Sequence, residues 1–320
     1  MRPSRFGSLL LAVLSAAASA AAATALLTPG RSLVQPGSVT NVAVTGRSVA
    51  FSFGRTPDEC RVRLWVTWSK ALYTFKTGGS TCREDTSTGS GIADVSVAQS
   101  RVVWLFFGGG NFREWTLLTA TPTTKTPKQL RFVSRPVEDP APIVLGPGTT
   151  QGIPYAVDDE VTFLGDNGAA IFKTALAQPV RLLAAGPGPG VRRVAALLAD
   201  GSVVTLGQSG AVVDTYSYPA TAVKAVQLAG VGAVIQAGSS VDIRKGAATK
   251  TVSLPAGSTM LDYRQGTIYY AKGKQVRSRR VPTGEDELLL VVQKKPWETP
   301  LFSIDWGAGW ASGNTLHWRT

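Results

Sequence analysis

From about residue 30 onward, short apolar runs alternate with clusters of Gly, Asp, Asn, Ser and Pro. Runs of about four to eight apolar residues between such clusters predict strands. Helical periodicity is nearly absent: Val191 to Ala199 would suit a short helix, but Asp200-Gly201 ends it. The pattern predicts an all-β protein of many short strands.

One unit recurs: an apolar strand, a tight polar or glycine turn, and a second apolar strand. Its copies run from Asn41 to Phe53, Ile92 to Phe107, Ile153 to Leu164, Val194 to Leu206, Lys224 to Ala237, Met260 to Ala271 and Phe302 to Ser312. Their turns fall near Gly46, Ser100, Asp159, Gly201, Val231, Gly266 and Gly307, a mean spacing of about 44 residues, which is the length of one four-stranded propeller blade. Second hairpins follow most copies: Phe112 to Thr121 with Lys128 to Ser134, Ala169 to Leu176 with Pro179 to Ala184, and Val241 to Lys245 with Lys250 to Leu254. The inner strands are apolar at consecutive positions, as in Val102-Val103-Trp104-Leu105-Phe106. A sheet with one wet face would alternate instead, so both faces of these strands need cover, which neighbouring blades provide. The expected fold is a β-propeller of seven blades, or six given the uneven period. The last copy lacks a clear fourth strand, and Arg31 to Gln35 has no other partner. This N-terminal stretch is expected to complete the last blade and close the ring, removing an exposed sheet edge.

The segment ahead of the repeats has a different character. Arg2 and Arg5 precede an apolar run from Ser8 to about Ala23, then small residues offering Ala-x-Ala cleavage sites, such as Ala18-Ser19-Ala20. That order is the secretory signal pattern. The strongly apolar part, Leu9 to Leu14, is short for a membrane span, which needs about 20 good apolar residues. Residues 1–25 are therefore expected to be a cleaved signal and 26–320 a single propeller domain. The mature chain is expected to lack a transmembrane segment and to be a secreted or periplasmic, cell-wall-associated monomer.

Charge and cysteines then sharpen the setting. The chain holds 33 basic and 21 acidic residues, +12 at neutral pH, and +10 once Arg2 and Arg5 are removed. This balance suits anionic partners such as cell-envelope polymers, although it also serves solubility, and export disfavours nucleic acid. The basic residues are spread along the chain, with one cluster at Lys272, Lys274, Arg277, Arg279 and Arg280. Cys60 and Cys82 are the two cysteines, and the hairpin from Cys60 to Thr77 turns at Ser69-Lys70, almost midway between them. A disulfide at the hairpin's open end is expected in an oxidising compartment.

Catalytic chemistry finds little support. His317 is the single histidine and sits near the C-terminus, which leaves a Ser–His–Asp triad one candidate base. Structural zinc wants four ligands, more than two cysteines and one histidine supply. Asp158-Asp159-Glu160 and Glu285-Asp286-Glu287 could act as paired carboxylates, but turns favour such residues anyway. Asp166-Asn167-Gly168 reads as a hairpin turn. Gly108-Gly109-Gly110 lacks a phosphate-loop lysine. No metal, no cofactor and no catalytic residue is expected.

On the period and hairpin pattern from Arg31 to Thr320, the chain resembles bacterial secreted β-propellers of the tryptophan–aspartate-repeat-like and TolB-like superfamilies. The Gly-His and Trp-Asp pairs of that repeat are missing, and Asp305-Trp306 runs in reverse order. The resemblance implies the fold and its use as a binding platform, with sites on the face carrying the loops between second and third strands. Counting strands places Arg55 and Asp58, Phe107, Asn111 and Phe112, Asp166 and Asn167, and Lys272 and Lys274 on those loops, together with the long segment 135–152. These are the candidate ligand-binding residues. The expected function is non-catalytic: an extracytoplasmic binding or scaffold propeller for a protein or an anionic cell-envelope polymer. The alternative is a propeller hydrolase or lyase acting on envelope glycans or peptides.

Overall fold

A computed structural model describes residues 31–56, 59–75, 89–124, 126–186, 192–230, 232–291, 301–304 and 307–319. The described residues form seven four-stranded antiparallel sheets arranged as the blades of a propeller, without helices. Blade 1 contains β2 (Val39–Thr45), β3 (Ser48–Thr56), β4 (Glu59–Val66) and β5 (Ala71–Phe75). Blade 2 contains β6 (Gly91–Ala98), β7 (Arg101–Gly109), β8 (Phe112–Ala120) and β9 (Lys128–Pro136). Blade 3 has β10 (Ile143–Leu145), β11 (Gly152–Val157), β12 (Glu160–Gly165) and β13 (Ala170–Ala175). Blade 4 has β14 (Val180–Ala185), β15 (Val194–Leu198), β16 (Val203–Leu206) and β17 (Val212–Tyr216). Blade 5 follows with β18 (Val223–Ala229), β19 (Gly232–Ala237), β20 (Ser240–Lys245) and β21 (Ala248–Ser253). Blade 6 is built from β22 (Ser258–Arg264), β23 (Thr267–Lys272), β24 (Gln275–Arg280) and β25 (Asp286–Val291). Blade 7 joins both ends of the described chain: β26 (Leu301–Ile304), β27 (Gly307–Ser312), β28 (Thr315–Arg319) and β1 (Arg31–Val34).

The ring closes as the sequence predicts. β1 pairs antiparallel with β28, Leu33 opposite Leu316 and Val34 opposite Thr315. The seam is reinforced beyond the ladder. The Gln35 amide donates to Asn314 O at 2.8 Å, Asn314 Nδ2 to Gln35 O at 3.1 Å, and Arg63 Nη1 in blade 1 to the buried Gln35 Oε1 at 2.7 Å.

Two of the seven repeat copies are out of phase with the blades. Ile153 to Leu164 and Val194 to Leu206 are second and third strands, whereas the other five copies are first and second. Ala170–Ala175 therefore ends blade 3 and Val180–Ala185 opens blade 4, so these two strands do not share a blade. The cause is the three-residue β10, too short to stand out as an apolar run. The slip also accounts for part of the uneven period, the long interval before blade 3 and the short one before blade 5. Val191 to Ala199, which could have passed for a helix, contains the buried strand β15.

Burial grades outward along blades 3 to 6. β15, β16 and most of β11, β12 and β19 are buried at consecutive positions, while β17, β21 and β25 are largely exposed. Apolar clusters fill the spaces between adjacent blades. Trp104, wholly buried, stacks on Phe75 of blade 1 with centroids 6.1 Å apart. Near the centre, side chains cross between blades and satisfy backbone groups that the inner sheet edges leave unpaired. Asn41 Nδ2 donates to Ile92 O at 3.1 Å. Gln236, buried, donates from Nε2 to Ser258 O at 2.8 Å and accepts the Met260 amide at 2.7 Å.

Antiparallel alternation sends the turns to two ends of the ring. Turns between first and second and between third and fourth strands lie at one end, the hairpin end. Turns between second and third strands, with the links to the next blade, lie at the other, the linker end.

Candidate functional site

Phe107, Asn111, Phe112, Lys272 and Lys274 belong to the linker end, at the β7–β8 and β23–β24 turns. Arg55, the penultimate residue of β3, lies on the same side; Asp58 lies outside the described residues. Asp166 and Asn167 go to the opposite end. Their turn joins the third and fourth strands of blade 3, because the two-strand unit there is one strand out of phase. The Gly207 to Gly210 turn, between the third and fourth strands of blade 4, lies at the hairpin end as well. The segment 135–152 is split: 137–142 links blades at the linker end, and 146–151 is the first turn of blade 3 at the hairpin end.

The structure separates the aromatic candidates by burial. Phe107 is core, its ring 5.8 Å from Trp115, with the Arg113 guanidinium 5.0 Å above it. Phe112 is 61% exposed. Gly109, at φ +113, makes the turn possible; a side chain there would run into Phe112 O. The Val137 amide donates to Asn111 O at 3.0 Å, and Arg135 Nη2 to Asp158 Oδ2 at 2.6 Å. These bonds hold exposed Phe112 and Val137 on a fixed rim where blades 2 and 3 meet. Exposed Glu138, Asp139 and Asp159 surround that rim. Lys272 and Lys274 are exposed on the turn of blade 6, away from this rim. At the other end, Asn167 Oδ1 accepts the Ala169 amide at 3.0 Å within the turn, and Asp166 O accepts Nε of Arg101, from the start of β7 in blade 2, at 2.7 Å.

His317 works at the seam. It lies on β28, Nδ1 is 3.2 Å from the Ser32 hydroxyl of β1, and burial lowers its pKa. Two further carboxyls have shifted pKa values: Asp94, which the sequence left unassigned, and Asp286, named there among the paired carboxylates. Burial pushes Asp94, on the innermost strand of blade 2, up to about 7, against the pull of the Val95 amide that donates to Oδ1 at 2.8 Å. An acid inside the apolar run from Ile92 to Val97 was its one signal. Burial also raises Asp286, but hydrogen bonds from Tyr270 and Arg277, with the charges of Arg277 and Arg279, outweigh it and leave the pKa lowered. The cluster of basic residues at Arg277 and Arg279 is thus partly neutralised by ion pairs to Asp286 at 2.6 and 3.8 Å. Among the described residues no group of three or more His, Cys, Asp or Glu is placed to hold a metal. No helix among them is long and apolar enough to cross a membrane.

No protein-family model and no curated protein matches the chain. Solved structures do. Sqt1 of Saccharomyces cerevisiae aligns with a TM-score of 0.51 at 11% identity, over 91% of this chain and 98% of that one. Raptor of Chaetomium thermophilum aligns at 0.52 and 12% identity, over 91% of this chain and 29% of that one. A chain of the mitotic checkpoint complex aligns at 0.57 and 15% identity, over 92% of each. These neighbours are tryptophan–aspartate-repeat propellers, and the likeness shows that this chain has the propeller fold.

Proposed function

We propose that this chain is a non-catalytic binding propeller that works outside the cytoplasm and recognises a protein of the cell envelope through its linker end. The observation that carries the reading is the rim at Phe112 and Val137. Exposed apolar groups are held there by backbone hydrogen bonds and ringed by Glu138, Asp139 and Asp159. A rigid aromatic within a polar surround is the usual anatomy of a protein-binding hot spot. The structural neighbours include a propeller crystallised within the mitotic checkpoint complex, which accords with a docking role. Export is supported by the order of charged, apolar and small residues before Leu26. A Cys60–Cys82 disulfide fits that compartment; Cys60 is buried, and Cys82 lies outside the described residues.

The test compares envelope proteins captured by the parent and by Phe112→Asp, quantified by mass spectrometry. A partner depleted at least tenfold with the variant is expected. Equal capture by the two proteins would sink the assignment of this rim. Intact mass of the exported protein checks the rest: loss of about the first 25 residues is expected from the signal pattern, with a gain of two hydrogens on reduction.

A further inference from the structure

Sorting the turns by end reveals a charge asymmetry that the linear sequence conceals. At the hairpin end, exposed Arg47 and Lys70 sit on the two turns of blade 1, Lys128 on blade 2, Arg192 on blade 4 and Lys245 on blade 5. None of the turns that carry them contains an acidic residue. Among the described residues the acids at this end are half-buried Asp166 on blade 3 and, on blade 6, Glu285, 3.5 Å from Arg280, followed by Asp286 and Glu287 at the start of β25; Asp305 lies outside the described residues. The linker end is mixed. Exposed Glu138, Asp139, Asp159 and Asp200 face exposed Arg181, Lys224, Lys272 and Lys274.

Trp68 lies at the hairpin end too. It is 69% exposed, one residue from Ser69 and two from Lys70, on a turn tied to its neighbour by the Thr67 amide donating to Arg47 O at 2.8 Å. An indole offers a large apolar body and one polar N–H, a combination suited to the boundary between headgroups and acyl chains.

We propose that the hairpin end is a docking face for an anionic lipid surface, with Trp68 inserting at the interface. This surface lies opposite the rim assigned to a protein partner, and its test does not depend on that assignment. The choice of lipid over a linear polyanion follows from the layout. The cations occupy turns of four different blades around the ring. A single extended chain would meet those of neighbouring blades, whereas a flat surface meets all of them together. Near an anionic bilayer each Lys or Arg adds about 1 kcal/mol, roughly a fivefold change in partitioning, so a handful facing the same way suffice for salt-sensitive binding.

The experiment is vesicle co-sedimentation of the whole chain. Vesicles of phosphatidylcholine alone are compared with phosphatidylcholine containing about a third phosphatidylglycerol, at low and physiological ionic strength. The N-terminal segment, apolar but carrying Arg2 and Arg5, contributes equally to the parent and to every variant, so the differences between variants isolate the hairpin end. Preferential binding to the anionic vesicles is expected. Lys70→Glu with Lys245→Glu should reduce it at least tenfold, and Trp68→Ala should reduce it severalfold. Lys272→Glu with Lys274→Glu changes net charge equally at the opposite end and should leave it within about twofold; all substituted residues are exposed, and circular dichroism checks their folding. The proposal is overturned if the anionic vesicles bind no better than neutral ones, as for an end that docks an acidic protein instead, or if the two charge reversals weaken binding equally.

Discussion

Residues of one kind perform different tasks in this ring according to how far they sit from its interior. Trp104 and Phe112 flank the same hairpin of blade 2, yet one is wholly buried and the other is 61% exposed. Trp104→Ala should therefore cost about 3–5 kcal/mol, whereas Phe112→Ala should stay within about 0.5 kcal/mol; urea unfolding of the two variants checks the contrast. Asp94 makes a pH prediction. Its carboxyl titrates at about 7 in the folded protein and near 3.9 when unfolded. Between those values the folded state holds a proton that the unfolded state has released. Asp94's contribution to stability is therefore complete below about pH 4 and lost as pH rises through about 7. Asp94→Asn keeps an acceptor for the Val95 amide and removes the charge. It should stabilise the protein at pH 8 by about 1–3 kcal/mol and make no difference at pH 4. A stability gain that is the same at both pH values would contradict the buried-carboxyl reading.

At the scale of elements, the seam is the place where one strand bears on the whole. β1 supplies four residues, with Leu33 packed against the cluster that holds Phe51, Trp65 and Leu316. A few ladder hydrogen bonds at about 1 kcal/mol each and burial of one leucine at about 2 kcal/mol make β1 worth several kcal/mol. Deleting residues 31–35 should lower the melting temperature by at least about 10 °C, read by calorimetry, and leave β28 as an unpaired edge prone to pairing with another chain. Concentration-dependent light scattering of the truncated protein measures that tendency; an unchanged melting temperature would mean that the ring does not depend on its closing strand.

The whole molecule should show radial order in its dynamics. Inner strands are covered on both faces by adjacent blades, and outer strands meet solvent. Amide exchange should therefore be slowest in β11, β15 and β19 and fastest in β17, β21 and β25, because opening an outer strand exposes little apolar surface. Fast exchange in β15 would contradict this gradient. Antiparallel alternation of the strands separates the hairpin end from the linker end, so one ring presents two surfaces built from different turns.

Much of this was legible in the chain. Consecutive apolar positions such as Val102 to Phe106 required cover on both faces, and Arg31 to Gln35 had no partner other than an incomplete last blade. These follow from local pattern and from counting strands. What the sequence could not settle depended on phase. β10 is three residues long, and missing it moved Asp166 and Asn167 to the wrong end of the ring. The end on which a turn emerges is a matter of odd or even strand number, so a single uncounted strand exchanges the two ends until the count is restored. Apolar burial thus determined that a closed ring would form, while pairing across the sheets decided which charges and aromatics share a surface.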